Sequence, residues 1–149
     1  MKLIISENKE KLNAELAQWI SELISSTLHH QEIFTIALAG GSTPGALYSE
    51  LALNYTDKIN WAKVHVFWGD ERFVPPGDER NNAKMADDKL LQFVNVPSAQ
   101  VHRMRTDIQP LFAASEYQQI LKHYFKNTIS SFDLVLLGLG DDGHTLSLF

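Results

Sequence analysis

A three-layer α/β fold, with helices on both sides of a mostly parallel sheet, is predicted by three observations. Short, nearly continuous apolar runs alternate with stretches whose apolar residues recur every three or four positions. The two kinds of segment follow one another singly along the chain, a pattern that calls for right-handed βαβ crossovers. Three of the apolar runs end in loops crowded with Gly, Asp, Arg, Ser or His, on the side where such sheets bind ligands.

The elements follow in order. Residues 3–5 (LII) are a short candidate strand, and Ser6 is a candidate helix cap with Glu7 and Glu10 in the first turn. Leu12, Leu16, Trp19, Ile20, Leu23 and Ile24 predict an amphipathic helix. His29 and His30 close it, read as a helix end with favourable dipole contacts in preference to a metal site. Residues 33–39 (IFTIALA) predict a strand covered on both faces. A helix follows, with Pro44 in its first turn, Ser42 or Thr43 as cap, and Leu47, Tyr48 and Leu51 as its buried stripe. Residues 64–68 (VHVFW) are the next strand, and Asn81 or Asn82 caps a helix carrying Ala83, Met85, Ala86, Leu90 and Leu91. A short strand over 101–105, a helix over 110–126 and a strand over 132–137 (FDLVLL) complete the pattern.

With 149 residues the chain has enough material for one domain and its core. Hydrophobic residues at 44% and charged residues at 21% are an ordinary globular balance. A net charge of −5, with 13 scattered basic residues, argues against a nucleic-acid partner. The absence of cysteine removes thiolate nucleophiles, disulfide frameworks and Cys-based zinc sites. The apolar start at residues 3–5 is too brief for a signal peptide or membrane span, so a cytoplasmic chain without a membrane partner is expected.

Each polar loop has a chemical reading and a plainer competitor. Gly40, Gly41, Ser42 and Thr43 stand between a strand and a helix, where amide groups, hydroxyls and the helix dipole suit a phosphate. The competitor is a capped turn; no P-loop lysine and no GxGxxG is present. In the second loop, alternation sends Asp70 and Arg72 one way and Glu71 the other. Asp70 can serve as base or orient Arg72, and Arg72 can hold an oxyanion or phosphate; a surface salt-bridge cluster is the competitor. The third loop, GLGDDGHT at 138–145, sets His144 on a glycine-rich turn as a candidate general base, with Asp142 to orient it. A metal reading of Asp142 and His144 lacks further ligands at compatible spacing. His65, His102 and His123 are read as ordinary half-buried or surface positions.

Read together, GGSTP at 40–44, DER at 70–72 with Asn81 and Asn82 downstream, and LLGLGDDGHTLSLF at 136–149 resemble the 6-phosphogluconolactonase branch of the glucosamine-6-phosphate isomerase/lactonase superfamily. The resemblance covers nearly the whole chain. It implies a Rossmann-like αβα fold and hydrolysis of 6-phosphoglucono-δ-lactone, a small phosphosugar lactone, with no metal and no organic cofactor. By the same resemblance Asp70, Arg72 and His144 are catalytic, His144 being the general base. Gly40, Gly41, Ser42, Thr43, Asn82, Gly140, Asp142 and Gly143 contact or support the substrate. The deaminase branch resembles DEY where this chain has Asp70-Glu71-Arg72, and it carries a glutamate where this chain has Phe149; both differences favour the lactonase. A non-catalytic phosphosugar-binding module is the alternative from another class.

Leu146 stands where alanine is usual in the family, and Asn81 where serine is common. Family members also continue past the position of Phe149 with strands, helices and basic residues. The expectation is therefore a C-terminally shortened family domain whose apolar edge is covered by self-association.

Overall fold

The computed structural model describes residues 3–126 and 131–148. Phe149, the position that distinguishes the two branches, lies outside the described residues. Helix α1 (Lys9–Leu28) begins where the Asn8 side chain accepts a hydrogen bond from the Lys11 amide at 2.8 Å. Asn8, not Ser6, is therefore the cap; the Ser6 hydroxyl instead donates to Glu15. Ala17, Ile20 and Ile24 form the buried stripe of α1, whereas the expected Trp19 is 45% exposed. His29 ends the helix, its Nδ1 lying 2.7 Å from the Ser25 carbonyl.

Strand β1 (Phe34–Leu38) is buried at every position, as the continuous apolar run requires. Phe34, Ile36 and Leu38 join a core containing α1 and helix α2 (Ser42–Asn54), while Ala37 joins a second core on the other face. Strand β2 (Val64–Trp68) divides the same way. Val64, Val66 and Trp68 enter the first core, and Phe67 meets Tyr117 of helix α4 (Pro110–Tyr124) in the second. The single-residue alternation of two strands thus builds three layers. Between β2 and α4, helix α3 (Asn82–Ala86) runs into a π turn at Asp87–Leu91, and together they bury Ala83, Ala86 and Leu90 against the first core.

The sheet is parallel, in the order β2-β1-β3, with β3 at Leu134–Val135. Register pairs Phe34 with Val64 and Leu38 with Trp68 on one flank, and Ile36 with Leu134 on the other. The anchor of β3 is a carboxylate. Asp133 accepts from the Thr35 amide at 2.7 Å and its hydroxyl at 2.8 Å, and Gln31 donates to its other oxygen at 3.0 Å.

Some expected elements differ. Residues 3–5 are not a strand: Leu3, Ile4 and Ile5 are 77%, 57% and 84% exposed, with no neighbouring strand among the described residues to complete a ladder. The segment 101–105 makes a single bridge, Val101 to Val66, because only Val101 and His102 run beside β2. The run at 132–137 contributes two ladder residues and a Leu136 amide bond to Ala37, then turns away at the site loop. The α4 helix stops at Tyr124, two residues early.

Candidate active site

The chain leaves β1 for one flank to form β2 and later returns to the other flank as β3. Loops leaving the carboxyl ends of β1 and β3 therefore diverge, and a crevice opens where the strand order reverses. A cavity of about 510 Å³ occupies this position. Its wall brings together Gly40, Gly41, Ser42 and Thr43 from the first loop, Asp70, Arg72 and Asn82 from the second region, and Gly140 and His144 from the third. Asp142 and Gly143, also expected as substrate contacts, are not in that wall. Asp142 reaches the site through His144, and Gly143 turns the loop with φ of 88°.

Two tyrosines fix the strand ends from which the loops depart. The Tyr48 hydroxyl, on α2, accepts from the Ala39 amide at 3.0 Å and donates to the Ala39 carbonyl at 2.8 Å. From the opposite layer, Tyr117 does the same for Trp68, at 2.9 and 3.0 Å. Each phenol replaces the ladder partner that a diverging loop takes away. Burial pushes both phenols up, Tyr117 to about 12, so they remain protonated donors.

In the first loop Gly41 is the cap residue of α2, with φ of 106° and no side-chain cap bond. The expected capping by Ser42 or Thr43 is absent because both are already inside the first turn, exposed at the cavity. Only glycine takes the Gly41 conformation without strain. Gly40 lies against the Asn82 side chain, closely enough that a Cβ would overlap it.

The second loop obeys the alternation. Asp70 and Arg72 face the cavity while Glu71 turns away and receives amide bonds from Arg72, Asn82 and Ala83. Asp70 accepts the Ser147 hydroxyl at 2.6 Å, and the Asn82 side chain donates to its backbone carbonyl at 3.1 Å. No carboxylate among the described residues pairs with the Arg72 guanidinium. Ser147 was not singled out from the sequence, and Glu71 was read only as pointing away from Asp70 and Arg72. The alternation about Asp70 signalled that Glu71 faces away, but nothing local signals the Ser147 contact across 77 positions.

In the third loop Asp142 holds the Nδ1 of His144, and that hydrogen bond keeps the Asp142 carboxyl below the ordinary carboxylate range. The Gly140 amide donates to the His144 carbonyl at 2.8 Å, closing the turn. Among the described residues no group of three His, Cys, Asp or Glu gathers as a metal set. No helix among them is long and apolar enough to cross a membrane.

The family described as glucosamine-6-phosphate isomerases/6-phosphogluconolactonase matches residues 7–149. A 6-phosphogluconolactonase of Nostoc sp. is 43% identical over 130 residues, covering 85% of this chain and 53% of the relative. One of Synechocystis sp. is 40% identical over 146 residues, covering 95% and 60%. Among solved structures, 6-phosphogluconolactonase from Trypanosoma brucei superposes with a TM-score of 0.86 at 30% identity, covering 98% of this chain and 62% of that one. The chain thus spans a little over half the length of these relatives.

Proposed function

The chain belongs to the glucosamine-6-phosphate isomerase/6-phosphogluconolactonase family, and from that premise we propose that it hydrolyses 6-phosphoglucono-δ-lactone to 6-phosphogluconate, in the cytoplasm. The observation that carries the reading is the convergence of His144, Arg72 and the Gly40–Thr43 loop on one cavity at the sheet's switch point.

Asp142 on Nδ1 favours the tautomer whose basic nitrogen is Nε2. His144 takes a proton from water, and the oxygen adds to the lactone carbonyl. Arg72 balances the charge of the tetrahedral oxyanion. When the intermediate collapses, the ring C–O bond breaks and protonated His144 returns its proton to the departing ring oxygen. The amides and hydroxyls of Gly41, Ser42 and Thr43 hold the phosphate at the start of α2. Asp70, engaged by Ser147 and Asn82, orients the wall and does not need to carry a proton. Lactone hydrolysis requires no base to move a carbon-bound proton, as aldose–ketose isomerisation does.

The test is lactone consumption by the purified 149-residue chain against the spontaneous rate, beside His144→Ala. The expected loss is at least about a hundredfold, the usual worth of a positioned general base. Equal rates for the two proteins would remove the enzyme reading, and ammonia release from glucosamine 6-phosphate would move it to the other branch.

The same reading assigns the outer edge of β3 to self-association. Val135 on β3 is 40% exposed, and Leu137 and Leu139, which follow it into the cavity wall, are 61% and 82% exposed. Sedimentation that shows only monomer at micromolar to millimolar concentration would overturn this assignment.

A further inference from the structure

We propose that Glu71 is the positioning residue of the cavity, the side chain that holds Asn82 and the Asp70–Arg72 turn in register. Its carboxylate is the meeting point of two chain segments. Oε1 accepts the Asn82 amide at 2.6 Å and the amide of its own neighbour Arg72 at 2.7 Å; Oε2 accepts the Ala83 amide at 2.9 Å. Charge-assisted bonds of this kind are about twice as strong as neutral ones. Asn82 is 6% exposed, so its amide has no compensating water once the carboxylate is removed.

What the brace fixes lies in the wall. Asn82 is packed against Gly40, where no Cβ fits, and its side chain donates to the Asp70 carbonyl at 3.1 Å. A shift of Asn82 therefore moves the phosphate loop and the Asp70 turn together. Glu71 itself is outside that wall, so it acts through its neighbours. The brace follows from geometry alone; only its catalytic consequence rests on the lactonase reading.

Two substitutions test it in the full 149-residue chain. Glu71→Ala removes the acceptors, while Glu71→Gln keeps one carbonyl oxygen and leaves an NH2 facing an amide. Amide exchange by NMR is expected to quicken at least about tenfold at Asn82 and Ala83 in Glu71→Ala, with a smaller effect in Glu71→Gln. The Gly40 amide signal should shift while protection in β1 and β2 stays at the wild-type level. With the lactone, kcat should fall at least about tenfold in Glu71→Ala, KM should rise as the phosphate loop moves with Asn82, and Glu71→Gln should recover part of both losses.

Unchanged exchange at Asn82 and Ala83 would overturn the brace. So would an equal loss of protection across β1 and β2 in both variants, which describes general fold stability instead. A local exchange change with wild-type kcat would overturn its positioning role. If the wild-type chain does not exceed the spontaneous rate, the lactonase reading fails, and the brace is then decided by the exchange pattern and the Gly40 signal.

Discussion

At Gly140 the backbone passes so close to the His144 ring that an added Cβ would overlap the imidazole, and it would also press on Asp142 at 2.9 Å. Gly140→Ala should therefore displace the proposed base and lower lactone hydrolysis at least about tenfold, since small misplacements of a catalytic group are costly. Its thermal midpoint should fall by no more than a few degrees, because Gly140 lies on a loop outside both cores. A variant that hydrolyses at the wild-type rate would show that the loop yields and that the contact does not set the ring. Tyr48 makes a contrasting case. Tyr48→Phe leaves the Ala39 amide and carbonyl buried without their partner, a cost of about 1–3 kcal/mol. Denaturant unfolding should show that loss, and a midpoint equal to wild type would overturn the strand-end role. The contrast also explains what the sequence disclosed of the site. That His144, Asp70 and Arg72 meet at one cavity was legible because each follows the carboxyl end of an apolar strand. Tyr48 was legible only as a core residue, since its position in an apolar stripe says nothing of where its hydroxyl points.

Among elements, β2 was readable to the residue and β1 to within one at each end, because a strand covered on both faces must be apolar at every position. The segment 3–5 is equally apolar, and 101–105 has only Val101 and Met104 as apolar residues; neither forms a strand. A strand exists through its partner, and local sequence does not report whether a partner is alongside. The short β3 depends on such a partner contact in particular. Two ladder residues are few, and the Asp133 carboxylate bonded to Thr35 and Gln31 supplies what the ladder lacks. Asp133→Ala should cost about 1–3 kcal/mol through the orphaned Thr35 amide. Because β3 leads directly into the 138–145 loop, the same variant should lose lactone hydrolysis at temperatures below its unfolding transition. Activity at the wild-type level up to that transition would separate β3 docking from the site.

For the molecule as a whole, one contribution to the acid side of stability comes from a histidine pair that the sequence presents as two unremarkable positions. His65 on β2 and His102 beside it have ring centroids 5.6 Å apart, planes 8° apart, and Nδ1 to Nε2 at 3.3 Å. Those three values place the rings edge to edge in one plane, joined by an in-plane hydrogen bond. The Gln100 amide nitrogen lies 3.0 Å from Nε2 of His65 and donates to it, so His65 donates from Nδ1 to His102. An added proton breaks one link of that chain. Burial lowers both rings' affinity for protons; for His102 the neighbouring His65 adds to it, and its pKa is brought down to about 4. Between about pH 6.5, where an unfolded histidine titrates, and pH 4, the unfolded chain binds protons that the folded chain refuses. Stability therefore rises with pH across that window and is lost as pH falls through it. His102→Phe retains the ring packing against Phe67, whose centroid is 4.4 Å away, but removes the hydrogen bond and one titrating group. The variant should be less stable than wild type at pH 7.5, and its midpoint should decline less steeply between pH 6.5 and 4.5. Thermal unfolding in a pH series measures both curves. Parallel curves would show that acid sensitivity arises elsewhere, whereas convergence toward low pH assigns it to the junction between β2 and the 101–102 segment.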